Sequence, residues 1–252
     1  MKIVVSSDWH LDWSTAGLER FDDIAEAARA VVNAAIDLEA DLFLFLGDLA
    51  NPDQRRAWRA SAFSIEADRE LTRAKVQTLW IAGNHDVIED GSGTTTLSPL
   101  ASAGGNVANL PRLFDVRDWK HQERVDHLAS VVALPYTARD QSYDPAMVLR
   151  QVLDRLDSVR LAKPIIVAGH LMIDGAELGS ESTDMARGRD MTFPSLALRE
   201  LSFPYTLAMN GHYHRRQVIT DAHGVRIYIP GSLARLTRGE AANAPGYLVV
   251  EV

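Results

Sequence analysis

Five short apolar runs in this sequence each end in a cluster of polar residues. Runs of this length, rich in Val, Ile, Leu and Phe and bounded by Gly or polar residues, are typical of buried β-strands. The polar clusters therefore follow the carboxyl ends of predicted strands, where side chains far apart in sequence can converge. The runs are residues 2–6, 41–46, 76–82, 164–168 and 205–210.

The five clusters combine carboxylate, carboxamide and imidazole groups, and five of the eight histidines fall in them. These groups suit Mn, Fe, Zn, Mg or Ni, and the sequence has no Cys that could offer a thiolate. One His after a strand is most often a capping or surface residue. Five clusters in the same placement predict a metal-centred active site, because buried carboxylates and imidazoles without a cation carry an uncompensated desolvation cost. The clusters are Asp8 with His10, Gly47-Asp48, Gly83-Asn84-His85-Asp86, Gly169-His170, and Gly211-His212 with His214.

In this order the clusters resemble the motif set of calcineurin-like metallophosphoesterases, spread over nearly the whole chain. The end of the chain is similar to the terminal strand region of SbcD-like DNA-repair nucleases. Two positions depart from that subfamily: Asp12 stands where Gly is usual, and Ala50 where an aromatic residue is frequent. The terminal residues concerned are Pro230 to Arg235, Gly239-Glu240 and Gly246 to Glu251.

The resemblance implies two divalent metal ions, most readily Mn²⁺, that share one ligand. A water between two such ions, about 3.5–4 Å apart, is the nucleophile for in-line displacement at phosphorus. The implied ligands are Asp8, His10, Asp48 and His214 for one ion, and Asp48, Asn84, His170 and His212 for the other.

His85 directly follows Asn84 and is not needed as a ligand. The resemblance makes it the general acid that protonates the leaving oxygen. The alternative is a supporting role beside the ligands. Asp86 is expected to orient the loop rather than to act on substrate.

The order of predicted elements is strand, helix, strand, helix, strand, followed by a more β-rich half, which indicates the α/β class. The resemblance implies a two-sheet β-sandwich flanked by helices, although strand patterning alone would also fit an open doubly wound sheet. We expect a single domain over 1–252. Helices are predicted at 18–38, 53–75 (with Pro52 in its first turn), 146–161 and 195–201, a loop at 91–105, a hairpin at 217–221 and 225–229, and a final strand at 246–252.

Composition agrees with a globular enzyme, since 46% of the residues are hydrophobic and 24% are charged. Only Met1 precedes the first predicted strand, and no apolar run is long enough to span a bilayer. We therefore expect a cytoplasmic location.

The formal net charge of −8 counts against nucleic acid, because Lys and Arg make the phosphate contacts that dominate affinity. Bound divalent cations would invert the charge locally. The candidate substrate-binding residues are Arg215, Arg235 and Arg238 beside predicted site loops, although most such clusters are solvated surface. Trp9 and Tyr213 alternate with ligands and could stack on a base, or pack around the metals.

Three functions remain open. The first is a Mn-dependent DNA nuclease of the SbcD-like type, an exonuclease or an endonuclease. Its implied partners are DNA and an SbcC-like ATPase, although SbcD-like proteins generally continue into a capping domain and a docking segment that these 252 residues lack. The second is a phosphodiesterase or phosphatase for a nucleotide or another small phosphoester. The third is a non-catalytic scaffold, which the complete ligand set disfavours.

Overall fold

The computed structural model describes residues 1–52, 56–88, 92–119, 127–136, 164–179, 192–193, 207–220 and 226–252. Short 3₁₀ turns cover Asn84–Asp86 and Arg238–Glu240. The helices are α1 (Phe21–Asp37), α2 (Ala57–Arg73) and α3 (Ser98–Ser102). The strands are β1 (Lys2–Ser6), β2 (Ser14–Thr15), β3 (Leu18–Glu19), β4 (Leu42–Phe45), β5 (Gln77–Ile81), β6 (Val107–Ala108), β7 (Arg112–Arg117), β8 (His127–Leu134), β9 (Ile165–Gly169), β10 (Met172–Ile173), β11 (Thr192–Phe193), β12 (Leu207–Asn210), β13 (Gln217–Thr220), β14 (Arg226–Ile229) and β15 (Leu248–Glu251).

Two large sheets form the framework of the described residues. The first has the order β15-β1-β4-β5-β6, with β15 antiparallel to β1 and the other strands parallel. The second has the order β13-β14-β12-β9-β8-β7, with antiparallel strands at both edges and parallel strands between them. This framework confirms the predicted α/β class and two-sheet arrangement, rather than a single open sheet. Two further pairs, β2 with β3 and β10 with β11, stand apart.

The two sheets pack face to face through one buried apolar cluster. Leu44 and Ile81 reach into it from the first sheet, and Val131 and Ile166 from the second. All four side chains are fully buried, and removing this apolar surface from water stabilises the sandwich.

Helices α1 and α2 cover the outer face of the first sheet. Helix α1 buries Ile24, Ala28 and Val31, the spacing expected of one helical face, in the cluster that also contains Phe43 and Trp80. Strand β4 is therefore buried on both faces, which explains its uninterrupted apolar sequence.

Three predicted elements differ in their bounds. Leu18, predicted as the first apolar position of α1, lies in the short strand β3 and is 72% exposed. Helix α2 begins at Ala57, so Pro52 precedes the helix instead of occupying its first turn. The segment predicted as a loop at 91–105 contains α3, whose first turn includes Pro99.

The predicted hairpin is confirmed as antiparallel β13 and β14, and the final strand as β15. The helices predicted at 146–161 and 195–201 lie outside the described residues. Across the part of the chain that the structure describes, no helix is long and apolar enough to cross a membrane.

Candidate metal centre

The loops that follow β1, β4, β5, β9 and β12 meet at one end of the sandwich. Hydrogen bonds join them, since the backbone N–H of Asp8 donates to Gly47 O at 2.9 Å and that of His10 to Asp48 O at 3.1 Å. Asp8, His10, Asp48 and His212 have positive φ angles of 54°, 45°, 62° and 75°. Such angles are uncommon for residues other than Gly, and they persist where the surrounding structure imposes them, most often at functional sites.

Two glycines allow the loops to approach this closely. A Cβ on Gly83 would lie 2.2 Å from Asp48 Oδ1, and one on Gly211 would lie 2.2 Å from Leu46 O. Both distances are far shorter than a van der Waals contact, so only Gly fits at either position.

Asp8, His10 and His214 form the first group of potential metal ligands. One ligand atom from each lies within 4.8 Å of the others, and all three side chains are buried. His10 Nε2 is 3.1 Å from His214 Nε2 and 3.6 Å from Asp48 Oδ2. We call this group position one.

Asp48, His170 and His212 form the second group, again with ligand atoms within 4.8 Å. Asn84 Oδ1 lies 3.0 Å from His170 Nε2 and 2.9 Å from His212 Nδ1, and Asp48 Oδ1 lies 3.4 Å from His170 Nε2. We call this group position two. Because the two oxygens of Asp48 face different positions, the structure brings together all seven predicted ligands in the predicted division.

The chemistry of position one fits a cation. Asp8 is 0% exposed, and neither of its carboxylate oxygens has a hydrogen-bond partner among the described residues. Burial is the main cause that raises the pKa of Asp8, to about 6. A buried carboxylate without a hydrogen bond is costly, and a divalent ion held by Asp8 together with the imidazoles of His10 and His214 would remove that cost.

Position two also favours positive charge. Burial alone would lower the pKa of His170, but the carboxylate of Asp48 beside it outweighs burial and raises that pKa to about 10. Burial and the nearby His170 lower the pKa of His212 to about 3, so its imidazole is neutral and able to coordinate. Burial would likewise raise the pKa of Asp48, but His170 and His85 hold it well below its ordinary value.

His85 lies beside position one without belonging to either ligand group. Its ring centre is 4.9 Å from that of His10, and its backbone N–H donates to Asp48 Oδ1 at 2.9 Å. Its Nδ1 is 2.8 Å from Asn51 Oδ1, and Asn51 Nδ2 donates to Asp12 Oδ2 at 3.1 Å. The geometry therefore agrees with a role separate from metal binding.

Asp86 is buried and joins two of the loops. Its carboxylate accepts the backbone N–H groups of Gly83 at 2.8 Å, Asp48 at 2.9 Å and Leu49 at 3.0 Å, as well as the hydroxyl of Thr96. It thus fixes the loop that carries Asn84 against the loop that carries Asp48. This is the orienting role that the sequence predicts.

Replacing Asp86 by Ala should therefore destabilise the protein and weaken metal binding together. At least three buried N–H groups would lose their acceptor, at about 1–3 kcal/mol each, so we expect a loss of roughly 3 kcal/mol or more in the free energy of unfolding. Urea unfolding in EDTA measures this loss. Asp37→Ala, which removes an exposed carboxylate from the last turn of α1, is the control. Parent-like stability of the Asp86 variant would contradict the assigned role.

The candidate substrate-binding residues differ in their surroundings. Arg235 and Arg238 are exposed, with Arg235 Nε donating to Asn243 O at 3.0 Å, whereas exposed Arg215 forms an ion pair with Glu177. Tyr213 is only 1% exposed, and its hydroxyl bonds the backbone of Ile173, so it presents no face to a base in this structure.

The core position of Tyr213 is the packing alternative that the sequence left open. Trp9 also packs instead of facing a base, because it is fully buried with its ring against Phe45 and Trp80.

Residues 1–216 match the family model described as calcineurin-like phosphoesterase, and this span includes every predicted metal ligand. The chain belongs to the calcineurin-like phosphoesterases. It is accordingly a metal-dependent phosphoesterase, and its two ligand groups suit the two divalent metals that the resemblance implies.

Solved structures share the fold of this calcineurin-like phosphoesterase at low identity. The protein TT1561 of Thermus thermophilus is 16% identical with a TM-score of 0.52, and the alignment covers 92% of this chain and 89% of that one. A dimetal phosphatase from Danio rerio is 13% identical with a TM-score of 0.53, covering 92% and 87%. The purple acid phosphatase PPD1 from yellow lupin (Lupinus luteus) seeds is 14% identical with a TM-score of 0.51, covering 91% and 43%.

Two residues of this phosphoesterase site were not predicted from the sequence. Asn51 follows the Gly47-Asp48 motif by three residues, and its polar side chain after an apolar run was the one available signal. Glu240, which contacts His214 through a 3.0 Å hydrogen bond, lies within the terminal motif, but its spacing from His214 has no recognisable pattern.

Proposed function

We propose that this phosphoesterase hydrolyses phosphodiesters and that DNA is its substrate, as in SbcD-like nucleases. The supporting observation is the location of Arg235 and Arg238. Both are exposed and lie within five residues of Glu240, and Glu240 contacts the candidate ligand His214. Guanidinium groups bind phosphates well, so these two residues offer two phosphate contacts beside the metal centre.

Asp8, His10, Asp48 and His214 would hold one divalent cation, and Asp48, Asn84, His170 and His212 the other. When bound, the two cations would lower the pKa of a water and stabilise charge on the attacking and leaving oxygens of the scissile phosphate. The residues of the chain add orientation and proton transfer. Asn51 Oδ1 can only accept a hydrogen bond, so it fixes the proton of His85 on Nδ1. Proton transfer from protonated His85 to the leaving oxygen would then use Nε2.

The same proposal includes Mn²⁺ as the metal, because carboxylate, carboxamide and imidazole ligands without thiolate suit it. Fe, Zn, Ni and Mg are the alternatives for metal reconstitution. A cytoplasmic role in DNA repair with an SbcC-like ATPase as partner also belongs to this proposal.

The second candidate is a phosphodiesterase or phosphatase for a nucleotide or another small phosphoester. The net charge of −8 favours it, as does the ion pair that Arg215 forms with Glu177 instead of presenting a lone guanidinium. A small substrate reaches the metals without a long basic groove. Cleavage of single- and double-stranded DNA, compared with bis(p-nitrophenyl) phosphate and cyclic nucleotides in one Mn²⁺ buffer, separates the two candidates.

If DNA is the substrate, the double variant Arg235→Glu, Arg238→Glu should cleave it poorly at moderate salt. Each lost phosphate contact lowers the slope of log binding constant against log salt by about one, so the slope should fall by about two. Hydrolysis of bis(p-nitrophenyl) phosphate should change little, because this substrate needs only the metals. A salt titration of DNA binding and cleavage measures the effect.

A matched control is Arg69→Glu, Arg73→Glu. It makes the same change in charge on the exposed face of α2, near the start of β5 and away from the site. Equal DNA cleavage by the Arg235, Arg238 variant and by this control would show that the two arginines are ordinary surface charge. A parent that cuts no DNA while it hydrolyses the small substrates would overturn the DNA proposal.

A further inference from the structure

The segment 231–243, which contains half of the residues of the terminal motif, wraps around His214. The backbone N–H of Ser232 donates to His214 O at 3.1 Å, and Asn243 Nδ2 donates to the same oxygen at 3.3 Å. At the other side of the segment, Trp13 Nε1 donates to Leu236 O at 2.9 Å. The segment is therefore fixed both to a candidate ligand and to the loop after β1.

Glu240 connects this segment to the imidazole of His214. It is 1% exposed, and its Oε1 lies 3.0 Å from His214 Nδ1, while its Oε2 accepts the backbone N–H of Leu236 at 2.6 Å. Since a carboxylate at this position is an acceptor, His214 carries a proton on Nδ1 and directs its Nε2 lone pair to position one.

The other candidate imidazole ligands have weaker support. His170 Nδ1 lies 2.5 Å from the backbone oxygen of Leu46, and His212 Nε2 lies 2.8 Å from the thioether sulfur of Met172. His10 Nδ1 is buried with no hydrogen-bond partner among the described residues. A carboxylate acceptor raises the basicity of an imidazole ligand more than a neutral carbonyl or a thioether does.

The charges around the two positions are also unequal. Position one faces the carboxylates of Asp8 and Asp48, with the carboxylate of Glu240 behind His214. Among the described residues, position two has Asp48 as its single carboxylate ligand, and its other oxygen ligand is the neutral amide of Asn84. A divalent cation is therefore attracted more strongly to position one.

We propose that Glu240 is a positioning residue for His214 and makes position one the tighter of two unequal metal sites. The terminal motif then serves the metal centre directly, through Glu240. The inference rests on the two-metal centre of the proposed function, and it does not depend on which phosphoester is the substrate.

The test is titration of metal-free protein with Mn²⁺, with free Mn²⁺ followed by electron paramagnetic resonance. The parent should bind two ions, the first more tightly. Glu240→Gln should weaken binding of the first ion roughly 10- to 100-fold, the range for losing a hydrogen-bond partner of a ligand. The amide keeps an oxygen at only one of the two carboxylate positions, so an NH₂ donor faces either His214 Nδ1 or the backbone N–H of Leu236. Binding of the second ion should change little by comparison.

Met172→Leu is the matched control, since it removes the group behind His212 and keeps the size of the side chain. It should leave binding of the first ion unchanged. Thermal melts in EDTA establish that each variant is folded. If Glu240→Gln does not fold, Glu240→Asp tests the same inference. Asp keeps both acceptor oxygens, but its side chain is shorter by one methylene. This variant should also bind the first ion more weakly than the parent.

If a folded Glu240 variant binds the first ion as tightly as the parent does, the inference about Glu240 is wrong, while the two-metal centre still stands. A parent that binds fewer than two Mn²⁺ ions would overturn it together with the two-metal centre. DNA or another phosphoester is absent from the titration, so failure of the substrate proposal cannot be mistaken for either result.

Discussion

Asp48→Asn should lose metal occupancy and the hydrolysis of every phosphoester together. In the parent, Asp48 Oδ2 lies 3.6 Å from His10 Nε2, and Asp48 Oδ1 lies 3.4 Å from His170 Nε2, so one carboxylate serves both positions. Although burial alone would raise the pKa of Asp48, the neighbouring His170 and His85 keep that pKa well below its ordinary value, and the side chain is ionised. An amide offers one oxygen and no charge, so we expect a loss of at least 10- to 100-fold.

Elemental analysis and hydrolysis of bis(p-nitrophenyl) phosphate measure the two losses. Asp68→Asn is the control, because Asp68 is also a buried carboxylate but accepts hydrogen bonds from Thr78 and Trp80, outside the metal centre. Its stability should fall while its metal content stays at the parent level. Two metals per chain with full activity in the Asp48 variant would show that Asp48 does not bridge.

The strands that precede the five motifs, β1, β4, β5, β9 and β12, could be predicted because each is a short apolar run bounded by Gly or polar residues. Strands β7 and β8, which precede no such motif, were not predicted. Strand β1 has the predicted bounds, and β4 is apolar throughout because it is buried on both faces. The ends of helices were predicted less well. Leu18 has the helical spacing but lies in β3, since the short β2–β3 pair forms before α1 begins. The spacing of apolar residues predicts which face of a helix is buried, but it does not predict at which residue the helix begins.

The candidate ligands could be predicted because each follows a strand within a short motif. Their supporting residues could not be, since those contacts join residues far apart. Glu240 and His214 are 26 residues apart, and Met172 and His212 are 40 apart, with no periodicity to connect them. Tyr213 shows the converse difficulty: it lies between two candidate ligands in sequence, yet its side chain points into the core and bonds Ile173.

His85→Ala should keep both metals and lose about 10²- to 10⁴-fold in turnover on diesters with alkoxide leaving groups, DNA among them. This is the range for removing one proton-transfer group. Neither group of ligands within 4.8 Å contains His85, so metal content should stay at the parent level. His127→Ala is the control, because it removes an exposed histidine at the start of β8 and should leave turnover unchanged.

The dependence on the leaving group decides what His85 does. An alkoxide is a strong base and needs a proton as the bond to phosphorus breaks, whereas p-nitrophenolate is a weak base and needs little protonation. The loss caused by His85→Ala should therefore be much smaller on p-nitrophenyl esters than on DNA or another alkyl diester. An equal loss on both would mean that His85 binds the phosphate or stabilises its charge. The 2.8 Å contact from Asn51 to Nδ1 would then orient the ring for binding and not for proton transfer.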